Sequence, residues 1–165
     1  MTRTFNYGAL IVLPFVFFAV FGLSNCRTAH APGDESGAKT DETMKSVRAV
    51  LDTQVAAWNR GDVDAFMDGY DRSEQTVFIS GDTLTRGWQT VLDRYKKNYD
   101  SRDKMGTLAF TELEIKPVSE FYAVANGRWR LARAEDAPHG RFTLIFRRTA
   151  AGWRIVHDHT SSASS

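Results

Sequence analysis

The chain has 165 residues with 21 basic and 20 acidic side chains, a net charge of +1, which offers no long-range field toward nucleic acid or anionic lipid. It has a single cysteine, Cys26, so an internal disulfide, a zinc–sulfur centre and a thiolate nucleophile within the folded part are all excluded. Beyond the N-terminal segment there is about one domain's worth of chain, long enough to bury a core without covalent staples.

Residues 1–26 read as an address. Arg3 supplies a positive start, Gly8 to Leu23 is apolar apart from Pro14, and Leu23-Ser24-Asn25 leads into Cys26. This is a signal peptide with a lipobox-like end, and it predicts an exported chain, periplasmic or in the cell envelope, lipid-anchored at Cys26. A plainly cleaved signal and an uncleaved anchor are the alternatives. Cleavage removes Arg3 and leaves twenty basic against twenty acidic residues. Residues 27–40, rich in Ala, Gly, Pro, Ser and Thr, have the composition of a tether. Residues 41–161 form the expected domain and 162–165 a short tail.

From Asp41, apolar residues recur at three- and four-residue steps (Met44, Val47, Leu51, Val55, Trp58) up to Gly61, which predicts an amphipathic helix with a glycine stop. Asp62 is placed to cap a short second helix whose apolar face is Val63, Phe66, Met67 and Tyr70. Gln75 to Ser80 reads as a strand, Gly81-Asp82 as a turn, and Trp88, Val91, Leu92, Tyr95 and Tyr99 as one face of a third helix. Four long strands come next, over 107–118, 120–133, 140–149 and 153–160, joined by short turns, which means an antiparallel meander. Helices first and strands second give an α+β domain with helices on one side of a sheet.

Strand alternation divides the sheet into two faces. Phe121, Ala123, Ala125, Gly127, Trp129 and Leu131 share one with Phe142, Leu144 and Phe146. Tyr122, Val124, Asn126, Arg128 and Arg130 share the other with Arg141, Thr143, Ile145 and Arg147. On the last strand the same period sets Trp153, Ile155, His157 and His159 opposite Arg154, Val156, Asp158 and Thr160. Either the helices cover the greasy face and the mixed one is solvated, or the helices enclose the mixed face as a polar cavity and the greasy one seeks a second subunit.

Three motifs, Ala57-Trp58-Asn59-Arg60-Gly61-Asp62, Thr85-Arg86-Gly87-Trp88 and Gly152-Trp153-Arg154-Ile155-Val156-His157-Asp158-His159-Thr160-Ser161, resemble the nuclear transport factor 2-like superfamily. Within it they are similar to the SnoaL-like bacterial branch, near YybH-type proteins and the association domain of calcium/calmodulin-dependent kinases. The resemblance spans Asp41 to Ser161. It implies a cone-shaped fold, N-terminal helices packed on a strongly curved antiparallel sheet, with an internal pocket and a homodimer through the outer sheet face that bears Trp129, Phe142, Leu144, Phe146 and Ile155. On that arrangement the pocket is formed by Trp58, Tyr70, Trp88, Tyr95, Tyr99, Tyr122, Arg128, Arg130 and Thr143, with Asp158 beside an arginine.

The resemblance implies a small organic ligand as partner but no particular reaction, because the fold hosts many chemistries. SnoaL-type cyclases use a pocket carboxylate as acid or base, and Asp158 is the residue placed for that role in a cyclase, isomerase or hydrolase. An epoxide hydrolase would need a companion carboxylate that the central strand lacks. A purely structural dimerisation domain with a filled interior is the third possibility. No glycine-rich phosphate loop, nucleophile elbow or zinc spacing is present, so no cofactor is expected. His157 and His159 have no third ligand on their face, so no metal is expected either.

Overall fold

The structure is a computed structural model that describes residue 2 and residues 32–163, with side chains placed from residue 35 onward. The expected signal segment, Cys26 and the first part of the tether lie outside the described residues.

Helix α1 runs from Pro32 to Asn59 and therefore starts nine residues before Asp41, where the apolar period begins. Its residues 35–42 are exposed, whereas Val47, Leu51, Gln54, Ala57 and Trp58 are buried. Gly61 ends the turn after the helix with φ 87°, a conformation that costs a residue with a Cβ. Asp62 caps α2 (Val63–Met67) as expected, its carboxylate accepting from the Ala65 N–H at 2.9 Å. Strand β1 (Val77–Ser80) turns into β2 (Thr83–Arg86), then α3 (Trp88–Asn98) and the short α4 (Arg102–Met105). The meander β3 (Thr107–Pro117), β4 (Tyr122–Ala132), β5 (His139–Thr149) and β6 (Gly152–Thr160) completes the sheet.

The strand order is β2-β1-β6-β5-β4-β3, with β1 parallel to β6 and every other pair antiparallel. The domain is α+β as expected, but the strongly curved antiparallel cone is not what forms. The sheet is open and mixed, with β2 and β3 as its edges. The short β1–β2 hairpin extends it by adding a parallel strand to β6, a pairing that a chain of short turns does not produce alone.

The helices cover the greasy face, contrary to the arrangement drawn from the resemblance. Ala123, Ala125, Leu131, Phe142, Leu144, Phe146, Trp153 and Ile155 are buried in one cluster with Val47, Leu51, Trp58, Phe66, Met67, Val91 and Leu92 of the helices. Two apolar surfaces of one chain meet each other, so the stripe expected at a subunit contact is already buried. The opposite face, with Asn126, Arg130, Arg141 and Thr143, is exposed.

Candidate functional site

The last strand does not alternate from end to end. Ile145 pairs with His157 and Phe146 with Ile155, so Val156 is an extra residue on β6. The bulge exchanges the faces beyond it. Trp153 and Ile155 point inward before it; Asp158 points inward after it and is 5 % exposed, while His157 and His159 turn to the outer face. Asp158 is thus interior, as expected, yet it shares that interior with Ile155 and not with Arg154 and Val156.

A backbone clamp holds the chain beside the bulge. Ile155 N–H donates to the Gly69 carbonyl and Asp71 N–H donates to the Ile155 carbonyl, both at 2.9 Å, so Tyr70 lies parallel to β6. The phenol of Tyr70 then donates to Asp158 Oδ2 at 2.6 Å. The other carboxylate oxygen, Oδ1, is buried and has no hydrogen-bond partner. Burial pushes the Asp158 carboxyl up from 3.8 to about 7, against the bond from Tyr70, which favours the charged form. The phenols of Tyr70 and Tyr95 are pushed well above 10, first by burial and then by the charge of Asp158.

Asp158 lines a cavity of about 160 Å³ between the helices and the inner sheet face. Its walls are aromatic: Trp58 lies 4.7 Å from Tyr99 and 5.1 Å from Phe66, and Tyr95 lies 5.3 Å from Phe66 and 5.5 Å from Phe78, centre to centre. Leu131, Phe142, Leu144 and Ile155 close it from the sheet, and Gln54, Ser80, Arg94, Asn98 and Thr160 add polar groups. The Trp58 indole donates to the Met105 carbonyl at 3.1 Å, and Asn59 bonds both the N–H and the carbonyl of Leu108, which fixes the end of α1 against β3. These bonds explain the chemistry of the Trp58-Asn59 motif: one residue forms a wall and the next holds it in place.

Of the ten side chains expected at the site, Trp58, Tyr70, Tyr95, Tyr99 and Asp158 meet in this cavity. Trp88 does not line it; its indole donates to the Met67 carbonyl at 2.9 Å, under the guanidinium of Arg72. Tyr122, Arg128, Arg130 and Thr143 lie on the other face of the sheet. There Thr143 donates to Asn126 at 2.8 Å and Arg128 pairs with Glu112 at 3.4 Å. Unbroken alternation groups these four with Asp158, and the bulge at Val156 separates them from it. Residues not expected at the site are Arg94, Gln54, Phe66 and Phe78; Phe78 enters it through the parallel pairing of β1 with β6, which leaves no mark in the sequence.

A SnoaL-like domain model matches residues 47–165. An NTF-2-like protein of unknown function from Shewanella oneidensis MR-1 is 42% identical, with a TM-score of 0.69 over 72% of this chain and 98% of that one. A ketosteroid isomerase-like protein from Erwinia carotovora atroseptica shares the fold at 18% identity and a TM-score of 0.61, over 75% of this chain and 98% of that one. A putative calcium/calmodulin-dependent protein kinase II association domain from Xanthomonas campestris does so at 15% and 0.58, over 72% and 86%. No curated protein matches the chain. The chain belongs to the SnoaL-like domain family of the nuclear transport factor 2-like superfamily.

Proposed function

We propose that this SnoaL-like domain binds a compact organic molecule, about the size of one ring, between its aromatic walls and the carboxyl of Asp158. The observation that carries the reading is the cavity itself, in which the rings of Trp58, Phe66, Phe78, Tyr95 and Tyr99 stand beside the buried carboxyl of Asp158. Aromatic walls with a few convergent polar groups are the usual anatomy of a small-molecule site. The volume sets the size. Drug-sized ligands take about 300–1,000 Å³, whereas an apolar cavity of about 150 Å³ holds benzene, and this one measures about 160 Å³. The same open volume argues against a purely structural domain with a filled interior.

A second reading, an enzyme of cyclase, isomerase or hydrolase type with Asp158 as acid or base, is favoured by the carboxyl's position at about 7, where it gives and takes a proton at neutral pH. The N-terminal segment supports export and attachment through a lipid on Cys26, and, because the stripe of Phe142, Leu144, Phe146 and Ile155 is buried under the helices, the opposite sheet face with Tyr122, Val124 and Ile145 replaces it as the surface proposed for a homodimer.

The test is thermal denaturation with phenol and cyclohexanone. Millimolar phenol is expected to raise the midpoint, and Leu144→Phe, which fills the cavity, is expected to abolish the rise. A rise that survives in Leu144→Phe places binding elsewhere and refutes the reading. Turnover of any cyclic substrate that is lost in Asp158→Asn while binding persists would establish the enzymatic reading over simple binding.

A further inference from the structure

Only two of the residues lining the cavity are charged, Asp158 and Arg94, and they form no ion pair with each other. Asp158 comes from β6 and is buried. Arg94 comes from α3 and is half-buried, next to exposed Asn98 one turn further along the helix. Its guanidinium donates one hydrogen bond, to Thr85 Oγ1 at 3.0 Å, and lies 5.2 Å over the ring of Phe78. Among the described residues no carboxylate lies within ion-pair distance of it, so most of its five N–H donors have no acceptor on the protein. Phe78 is also the residue opposite Asp158 in the β1–β6 register. One ring therefore separates a cation at the exposed end of the cavity from a carboxyl at its buried end.

We propose that the cavity takes a monocyclic hydroxy-carboxylate, its ring among Trp58, Tyr95 and Phe78, its hydroxyl on Asp158 and its carboxylate on Arg94. The proposal rests on the cavity being the ligand site and adds the class of ligand. A guanidinium offers two parallel N–H donors that match the two oxygens of a carboxylate. A hydroxyl suits Asp158 in either protonation state, since it donates to a carboxylate and accepts from a carboxylic acid. A cationic ligand would meet Arg94 as a like charge. A neutral one would leave the fork without an anion. The ring fits the volume of about 160 Å³, and the carboxylate needs only the open end.

Isothermal titration at pH 6.5 with phenol, benzoate, 3-hydroxybenzoate and 4-hydroxybenzoate tests this on the wild type, Arg94→Gln and Arg94→Lys. One hydroxybenzoate isomer is expected to bind about tenfold or more tightly than phenol, a gap of about 1.4 kcal/mol. Arg94→Gln is expected to erase that gap, taken as the ratio of the two affinities within each protein, and Arg94→Lys to keep part of it, because charge remains and the fork is lost. A cooperative thermal transition in each variant shows that it still folds. If phenol binds the wild type as tightly as both hydroxybenzoates, or if the gap survives in Arg94→Gln, the hydroxy-carboxylate is wrong and the cavity reading stands. If none of the four binds the wild type, both fall.

Discussion

Replacing Asp158 with asparagine should leave stability nearly unchanged near pH 4 and raise it progressively toward pH 8. In the structure Asp158 has no cationic partner, only the phenol of Tyr70 on Oδ2 and nothing on Oδ1. A carboxyl whose folded pKa lies above its unfolded value makes the folded state the one that holds the proton. Its contribution is therefore fully present below about 3.8 and is lost as pH rises to about 7. Each pH unit in that window is worth up to about 1.4 kcal/mol, so the wild type loses about 3–5 kcal/mol across it from this one group. Asparagine keeps the shape and the acceptor for Tyr70 and cannot ionise. Wild type and Asp158→Asn should thus be similarly stable near pH 4, and the variant should be the more stable one at pH 8, by about 3–5 kcal/mol. Urea denaturation of both proteins from pH 4 to 8 measures it. The difference between the two curves removes every other titrating group that they share. Parallel curves, or a variant that is less stable at pH 8, would refute the reasoning and point to an ion pair.

Tyr70→Phe removes the bond that favours the Asp158 anion, so the carboxyl should titrate above 7 in carbon-13 NMR and the fold should lose about 1–3 kcal/mol; an unchanged titration would show that the bond does not tune it. Gly140→Ala should cost about 1–3 kcal/mol or more, read by thermal denaturation, because its Cβ would collide with the Ser161 carbonyl, which also accepts from the Trp129 indole; a neutral change would mean that the tail beyond β6 moves aside freely. Wild-type protein should partition into detergent and Cys26→Ser should not, since acyl chains add about 0.8 kcal/mol per buried methylene, and equal release of both would exclude the lipid. Light scattering should find a homodimer through the outer sheet face, where Tyr122 is exposed and Val124 and Ile145 are half-buried, and Ile145→Glu should split it; a monomeric wild type at micromolar concentration would remove this proposal.

Elements with a full period are legible in the sequence. The apolar steps from Val47 to Trp58, the cap at Asp62, the α3 face and the four long strands all form close to where the pattern puts them. Strand β2, Thr83-Leu84-Thr85-Arg86, escapes a sequence reading because four residues with no buried side chain have no pattern to show. The parallel β1–β6 pair is not legible either, since short connections speak only for antiparallel neighbours. Covering of the greasy sheet face is within reach of physics: a helix stripe and a sheet stripe in one chain bury each other without a second subunit. The resemblance draws the assignment the other way.

Asp158 lies inside, but by a route other than simple alternation. Alternation carried unbroken through Val156 groups Asp158 with Arg154, and from there with Arg128 and Arg130 on the mixed face. The bulge breaks that continuity, and nothing in Ile155-Val156-His157 announces it, because no glycine or proline marks the spot. Its cause is tertiary: Ile155 is held on both sides of its peptide by Gly69 and Asp71, and β5 pairs with the strand on either side of the extra residue. The same clamp delivers the Tyr70 phenol to Oδ2. A single irregularity thus turns a carboxylate into an aromatic interior, where burial raises its proton affinity and leaves one oxygen without a partner. A core selected for stability alone would have an apolar residue there, since an unpaired buried polar atom costs about 1–3 kcal/mol. That cost sets Asp158 apart from the rings around it, which pack edge to face against one another with no polar atom left over.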